Sequence, residues 1–380
     1  MTDHPSPIRI CFATTELATG GAEKCLVNLA SRLPREHFSA HVLSLAPLPR
    51  SPKDQLLKRL QAAGIPVETL NITSTRQFLA ANKGLHDYLA KNRFDLLQTF
   101  LYHCNVLGSL AKKRLPELVH ISGIRVADPS RWRQFVERRA ARRWTHTVCV
   151  SQDVATFAQQ RLRLAAENTT VIPNGLDAED YANKRSDRRT LLGTTSERRW
   201  LLTIGRLENQ KGLDWLMKLA PKLLSKSPHH DLVLVGDGSQ RSALERLAHA
   251  GGIAHRVHFL GWRPDIPELL HAADLLLLPS RWEGMPNVLL EAMASSLPVA
   301  ALPVHGVEQI LGELAEQQIA QDSSPAGFTN HVLQLLSSPA TLVALGRQNR
   351  DRILAEFTTE QMLERYASLY RQLLTAAPGV

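Results

Sequence analysis

This sequence predicts an α/β protein of two doubly wound, parallel-stranded units. Short runs rich in Val, Ile and Leu alternate with longer segments of helical periodicity, the pattern of buried parallel strands joined by crossover helices. The rhythm breaks between Asn174 and Arg198, at Asn174-Gly175, at the charged run Lys184 to Arg189 and at Gly193-Thr194-Thr195-Ser196, and then restarts. A length of 380 residues suits two domains.

In the first half the expected strands are Ile8 to Thr14, Ala40 to Leu45, Val67 to Leu70, Leu96 to Phe100, Val119 to Ser122, Thr147 to Ser151 and Thr170 to Ile172. In the second they are Trp200 to Ile204, Leu232 to Val235, Val257 to Leu260, Leu275 to Leu278, Pro298 to Ala301 and Gln318 to Ala320. Thr358 to Leu374 reads as a terminal helix with Met362, Tyr366, Leu369, Tyr370 and Leu373 on one face. The expected organisation is therefore a first domain over 1–175, a second over 176–357, and a helix over 358–380 able to return to the first domain. Ligands of such sheets bind at the carboxyl ends of the strands.

Composition excludes several classes. No apolar run approaches the roughly 18 residues of a membrane span. The opening MTDHPSPIRI carries Asp3 and two prolines and lacks a signal-like apolar stretch, and Cys11, Cys25, Cys104 and Cys149 are scattered without a CxxC pair. The expectation is a cytoplasmic protein, peripheral on the inner face of a membrane at most, without a disulfide framework or zinc site. The net charge is +11 over residues 1–175 and −2 over the rest, so the first half meets something acidic. No nucleic-acid motif accompanies that charge, and nucleic acid is not an expected partner.

Three stretches carry chemistry. In EGMPNVLLE, Glu283 should sit on a loop after a buried strand and Glu291 on the following helix, whose start near Met285 to Asn287 offers free backbone N–H groups to an anion or a sugar hydroxyl. An arbitrary pair of glutamates is usually solvated surface; the position at a strand's carboxyl end favours a site. In TIGRLENQKG, Arg206 follows a strand and Lys211 opens a helix; a guanidinium that grips phosphate through paired hydrogen bonds and a mobile ammonium together suit a diphosphate leaving group. In Thr19-Gly20-Gly21-Ala22-Glu23, two glycines allow close backbone approach and leave a helix end open, although a Gly-Gly turn alone is more often structural and the third glycine of GxGxxG is absent.

These features in this order resemble the retaining nucleotide-sugar glycosyltransferases of family four, with their GT-B architecture of two facing Rossmann-like, doubly wound domains. The resemblance covers nearly the whole chain through GGAE at Gly20 to Glu23, VIPNGLD at Val171 to Asp177, GRLENQKG at Gly205 to Gly212, LVGDG at Leu234 to Gly238, FLGW at Phe259 to Trp262 and EGMPNVLLEAMA at Glu283 to Ala294. It implies that Arg206 and Lys211 neutralise the donor diphosphate, that Glu291 binds the ribose hydroxyls and that Glu283 sits by the donor sugar. It further implies that Gly205, Gly236 and the backbone of Gly284, Met285, Pro286, Asn287 and Val288 line the donor site. Leu260, Gly261 and Trp262 would hold the base, and Gly20 and Gly21 would lie beside the phosphate on the facing domain. Many relatives carry a histidine after the strand that here reads Val119 to Arg125; the aligned position falls near Gly123 to Arg125, so Arg125 is the candidate acceptor or donor-sugar contact and His120 a structural residue.

The implied reaction is transfer with retention, from a nucleotide-diphosphate sugar, UDP by family frequency, to a glycan or lipid-linked acceptor in polysaccharide or glycoconjugate synthesis. No DxD motif is present, so neither a metal nor another cofactor is expected. A nucleotide-sugar epimerase on the same fold and a non-catalytic nucleotide-sugar or glycan binding protein are the alternatives. Separately, RWRQFVERRAARRW holds Arg131, Arg133, Arg138, Arg139, Arg142 and Arg143 against Glu137 alone. This segment reads either as a contact with an anionic membrane surface or as a solvated helix whose aromatic residues pack on the sheet.

Overall fold

The structure is a computed structural model that describes residues 6–18, 20–182, 187–193 and 198–375. Thr19 of the glycine turn, Asp3 of the opening segment, and Lys184, Arg185, Ser186, Thr194, Thr195 and Ser196 of the interdomain segment lie outside the described residues. The chain divides into two compact units, residues 1–175 with 359–380, and 176–358.

The first unit runs β1 (Ile8–Thr14), α1 (Gly21–Arg32), β2 (Phe38–Ser44), α2 (Gln55–Ala62), β3 (Val67–Thr69), α3 (Phe78–Asn92), β4 (Leu96–Phe100), α4 (Leu101–Arg114), β5 (Val119–Ile124), α5 (Arg131–Ala141), β6 (His146–Cys149), α6 (Gln152–Phe157) and β7 (Thr169–Val171). Its parallel sheet has the order β3-β2-β1-β4-β5-β6-β7. β1 is buried on both faces. Ile10 and Phe12 join Leu26, Leu29 and Val42 in one core, and Cys11 and Ala13 join Leu43, Leu97 and Leu107 in the other. A central parallel strand therefore reads as a continuous apolar run rather than an alternating one.

The second unit runs α7 (Arg188–Leu192), β8 (Arg199–Ile204), α8 (Leu213–Lys226), β9 (His230–Val235), α9 (Arg241–Ala250), β10 (Val257–Phe259), α10 (Ile266–Ala272), β11 (Leu275–Leu278), α11 (Asn287–Ala294), β12 (Val299–Ala301), α12 (Val307–Leu311), α13 (Ala315–Gln318), α14 (Pro325–Leu336) and α15 (Pro339–Glu356). Its parallel sheet has the order β10-β9-β8-β11-β12. The strand expected at Gln318 to Ala320 is instead the end of α13 followed by a single bridge between Ala301 and Ile319. The physical reason is the Gln318 side chain, whose Oε1 accepts from the backbone N–H of Val299 at 2.9 Å and so replaces a ladder bond.

The chain then returns as α16 (Thr359–Thr375), whose Met362, Tyr366, Leu369 and Tyr370 bury in the core of the first unit. Each sheet has a topological switch point where strand order reverses, between β1 and β4 in the first and between β8 and β11 in the second. Ligands of open α/β sheets bind in the crevice beyond such points. All four cysteines are buried free thiols. Among the described residues, no helix is long and apolar enough to cross a membrane.

Candidate functional site

The loops that leave β8, β9 and β11 are stitched to one another by backbone hydrogen bonds. Gly205 N–H donates to Val235 O at 2.9 Å, Leu207 N–H to Asp237 O at 2.9 Å, Gly236 N–H to Gly261 O at 2.7 Å and Arg281 N–H to Gln210 O at 2.8 Å. Two glycines make this possible. Gly212 has φ +63°, and a Cβ there would sit 2.0 Å from Pro279 O; Gly236 has φ +129°, and its Cβ would meet Gly205 O at 2.0 Å. No side chain fits either approach.

On this frame Lys211, at the end of the β8 loop, reaches the β11 loop and donates from Nζ to Glu283 Oε1 at 2.6 Å. The Glu283 carboxylate also accepts from Ser280 Oγ at 2.7 Å and is buried. The sequence reading gave these two residues separate roles, and the structure pairs them. Arg281 clamps the same two loops from outside through a two-pronged contact with Asp214 at 2.7 and 2.8 Å. Arg206 is exposed at the end of β8, and its side chain has no hydrogen-bond partner among the described residues.

α11 begins at Asn287 behind the extended Pro286, and Gly284, Met285, Pro286 and Val288 are buried around its start. Glu291, one turn further on, is buried beside Tyr181. Burial, and then the Glu291 carboxylate that accepts its hydrogen bond, push the Tyr181 phenol well above its usual range. At the β9 and β10 ends Asp237 orders the expected base loop: its carboxylate accepts from Trp262 N–H at 3.0 Å and from Arg241 Nη1 at 3.1 Å, while Arg241 Nη2 donates to Phe259 O at 3.3 Å. Asp214, Arg281, Tyr181 and Arg241 escaped the sequence reading because their importance lies in partners remote in the chain. Asp237 was visible inside the quoted LVGDG.

In the first unit, Gly20 caps α1 in extended conformation. A Cβ on Gly20 would lie 2.2 Å from Glu23 Oε2, so the helix end expected to be open is covered by its own first-turn carboxylate. Arg125 donates from Nη2 to Asn174 Oδ1 and stacks 5.9 Å over the Phe100 ring. His120 is fully buried, lies 3.0 Å from Thr99 Oγ1, and is pushed down to about 3 by burial and by Lys112. Leu101, directly after β4, has φ +70°, a strained conformation for a bulky side chain at the switch point, which no sequence signal announced. Among the described residues no three His, Cys, Asp or Glu side chains group as metal ligands.

Residues 19–180 match the family described as Glycosyltransferase Family 4, and residues 198–338 match Glycosyl transferases group 1. The chain is a family 4 glycosyltransferase. This glycosyltransferase is 24% identical to the UDP-Gal:alpha-D-GlcNAc-diphosphoundecaprenol alpha-1,3-galactosyltransferase of Escherichia coli over 96% of its own chain and 97% of that protein. It is 28% identical to the 2-deoxystreptamine glucosyltransferase of Streptomyces kanamyceticus over 58% and 59% of the two chains. Among solved structures it resembles Anabaena Alr3699/HepE in complex with UDP-glucose, with TM-score 0.83 at 22% identity over 96% and 100% of the chains. Sucrose-phosphate synthase of Thermosynechococcus elongatus follows with TM-score 0.82 at 19% identity over 97% and 100%. The glycosyltransferase thus has the GT-B architecture of these structures.

Proposed function

We propose that this glycosyltransferase moves a hexose from a UDP-sugar to a glycan or lipid-linked acceptor, with retention of anomeric configuration and without a bridging metal ion. The second unit is the donor side and the first the acceptor side. The observation that carries this reading is that Arg206 and Lys211 stand on the loop after β8 and that Lys211 reaches the loop before α11, the two loops that flank the switch point of the second sheet. UDP is supported by the nucleotide named with the E. coli relative and with the HepE complexes, and a lipid-linked acceptor by the diphosphoundecaprenol substrate of that relative.

In the mechanism we infer, the acceptor hydroxyl attacks C1 from the face that the diphosphate leaves. The C1–O bond to phosphate breaks, the new glycosidic bond forms, and the hydroxyl proton passes to the departing phosphate oxygen. Charge grows on that oxygen, and Arg206 and Lys211 meet it through charge-assisted hydrogen bonds. Glu283 takes one of the three Lys211 N–H donors, which fixes the ammonium and leaves two for phosphate. The backbone from Gly284 to Asn287 addresses the sugar and phosphate, Glu291 the ribose with Tyr181 behind it, and Leu260 to Trp262 the base. Gly20 and Gly21 are assigned to the donor phosphate, and Arg125 to the donor sugar or the acceptor. A lipid-borne acceptor puts the reaction at a membrane surface, and α5 is the part of the first unit that we assign to it.

Arg206→Ala tests the core of this reading, because Arg206 is exposed and its loss leaves no buried partner stranded. Turnover should fall on the order of 100-fold, as when one oxyanion donor is lost, while the unfolding midpoint stays within error. Transfer within threefold of wild type, measured by mass spectrometry of the glycosylated acceptor, would end the assignment. Activity should also survive EDTA.

A further inference from the structure

The outward face of α5 is unlike an ordinary solvated helix. At about 100° per residue, Arg131, Trp132, Phe135, Arg138, Arg139 and Arg142 share one face, while Glu137, Ala140 and Ala141 are buried on the other. Trp132 is 69% exposed and Phe135 49%, and their rings stack with centroids 6.1 Å apart. Arg139 lies 4.7 Å over the Phe135 ring. Trp144, by contrast, is buried and donates from Nε1 to Asn105 O at 3.2 Å, so the expectation that the segment's aromatics pack inward holds for it alone. Arg133 is engaged by Asp128 at 2.8 Å.

At the carboxyl end of α5 a cavity of about 310 Å³ is lined by Arg138, Arg142 and Arg163, with Trp144, Leu162 and Leu164 as apolar wall. None of the three arginines has an ion-pair partner among the described residues. Partial desolvation, and then the nearness of Arg163 and Arg142, hold the Arg138 guanidinium below its usual range. Three like charges gathered around a recess without a counter-ion are stabilised by a bound anion, and guanidinium geometry matches phosphate oxygens.

We propose that Arg138, Arg142 and Arg163 seat the phosphate of an anionic phospholipid headgroup, while Trp132 and Phe135 enter the membrane interface beside it. The inference rests on the assignment of α5 to a membrane and specifies which residues recognise which group. A soluble anion would need only the cavity. The adjoining exposed aromatic pair, rimmed by cations, is what selects a lipid.

Vesicle co-sedimentation of the full chain tests this. Wild type should bind phosphatidylcholine vesicles containing phosphatidylglycerol and ignore pure phosphatidylcholine. R138A/R142A/R163A should weaken that binding by more than about 100-fold, because it removes the electrostatic share of three basic residues at an anionic surface and the charge-assisted bonds to phosphate besides. R131A/R139A/R143A removes the same amount of charge from α5 and its end and should cost only that electrostatic share, at least tenfold less than the first triple, and W132A/F135A should leave only binding that salt abolishes. All variants should keep the wild-type unfolding midpoint. Absence of binding to the anionic vesicles would overturn the membrane assignment and the seat together. Equal losses in the two arginine triples would overturn the seat alone. Tight binding of inorganic phosphate to the wild type without vesicle binding would give the cavity to a soluble anion and end the lipid proposal.

Discussion

Lys211 and Glu283 are 72 residues apart in sequence and 2.6 Å apart in space. Their side chains are 18% and 6% exposed, so the pair is largely withdrawn from water. Removing one member of a withdrawn pair strands the other charge, at a cost of roughly 3–5 kcal/mol, whereas removing both avoids that penalty. We therefore expect Lys211→Ala to lose stability as well as turnover, and Lys211→Ala/Glu283→Ala to unfold in urea at a higher concentration than the two single effects add up to. The coupling should be about 1–3 kcal/mol. Additive single effects would mean that the pair does not act as one unit and that Glu283 addresses the donor independently of Lys211. The neighbouring Gly212 makes a second demand: with φ +63° and Pro279 O in the place of a Cβ, Gly212→Ala should separate the two loops and lower both stability and donor affinity.

Among the elements, the α4–α5 contact carries a titratable group in its interior. Glu137 of α5 is buried against α4, where its Oε1 accepts from Asn105 Nδ2 at 3.3 Å. Burial pushes its carboxyl up from 4.5 to about 7, against the opposing effect of the Asn105 hydrogen bond. Between those values the folded chain holds a proton that the unfolded chain has released, so stability falls as pH rises through this window and flattens above it. The upper bound is about 3 kcal/mol, and Glu137→Gln, which keeps an acceptor for Asn105, should remove that slope from unfolding midpoints measured between pH 5 and 8. The strands around these helices were legible in the sequence because a buried parallel strand needs an apolar run whatever its partners. Gln318 to Ala320 was misread because a side-chain amide, rather than the local backbone, satisfies Val299. At the site, Arg206, Lys211 and Glu283 stand in recognisable local patterns. The Lys211–Glu283 bond, the Arg281–Asp214 clamp and the covering of Gly20 by Glu23 depend on how loops meet, which no local pattern encodes.

At the scale of the whole chain, the second unit is an insertion between the body of the first and that unit's last helix, entered after Gly175 and left after Thr358. α16 is part of the first unit's core rather than a tail. Tyr366 and Tyr370 are fully buried, Tyr370 packs with ring centroids 6.5 Å from Phe12 and 6.2 Å from Phe38, and its hydroxyl donates to Gln98 Oε1 at 3.3 Å. Met362 and Leu369 are buried on the same face. Each such side chain contributes roughly 1.5–3 kcal/mol on burial, so four together approach the roughly 5–15 kcal/mol that holds a whole domain folded. A chain ended at Thr358 should consequently lose the protease resistance of residues 6–175 while residues 198–358 remain protected, because the core of the second unit contains nothing from α16. Tyr366→Ala should act in the same direction at about 3–5 kcal/mol, lowering the unfolding transition of the first unit and leaving that of the second in place. If the shortened chain kept the digestion pattern of the full one, the first unit would be stable on its β1–β7 sheet and first six helices alone, and α16 would be a cover rather than a structural member.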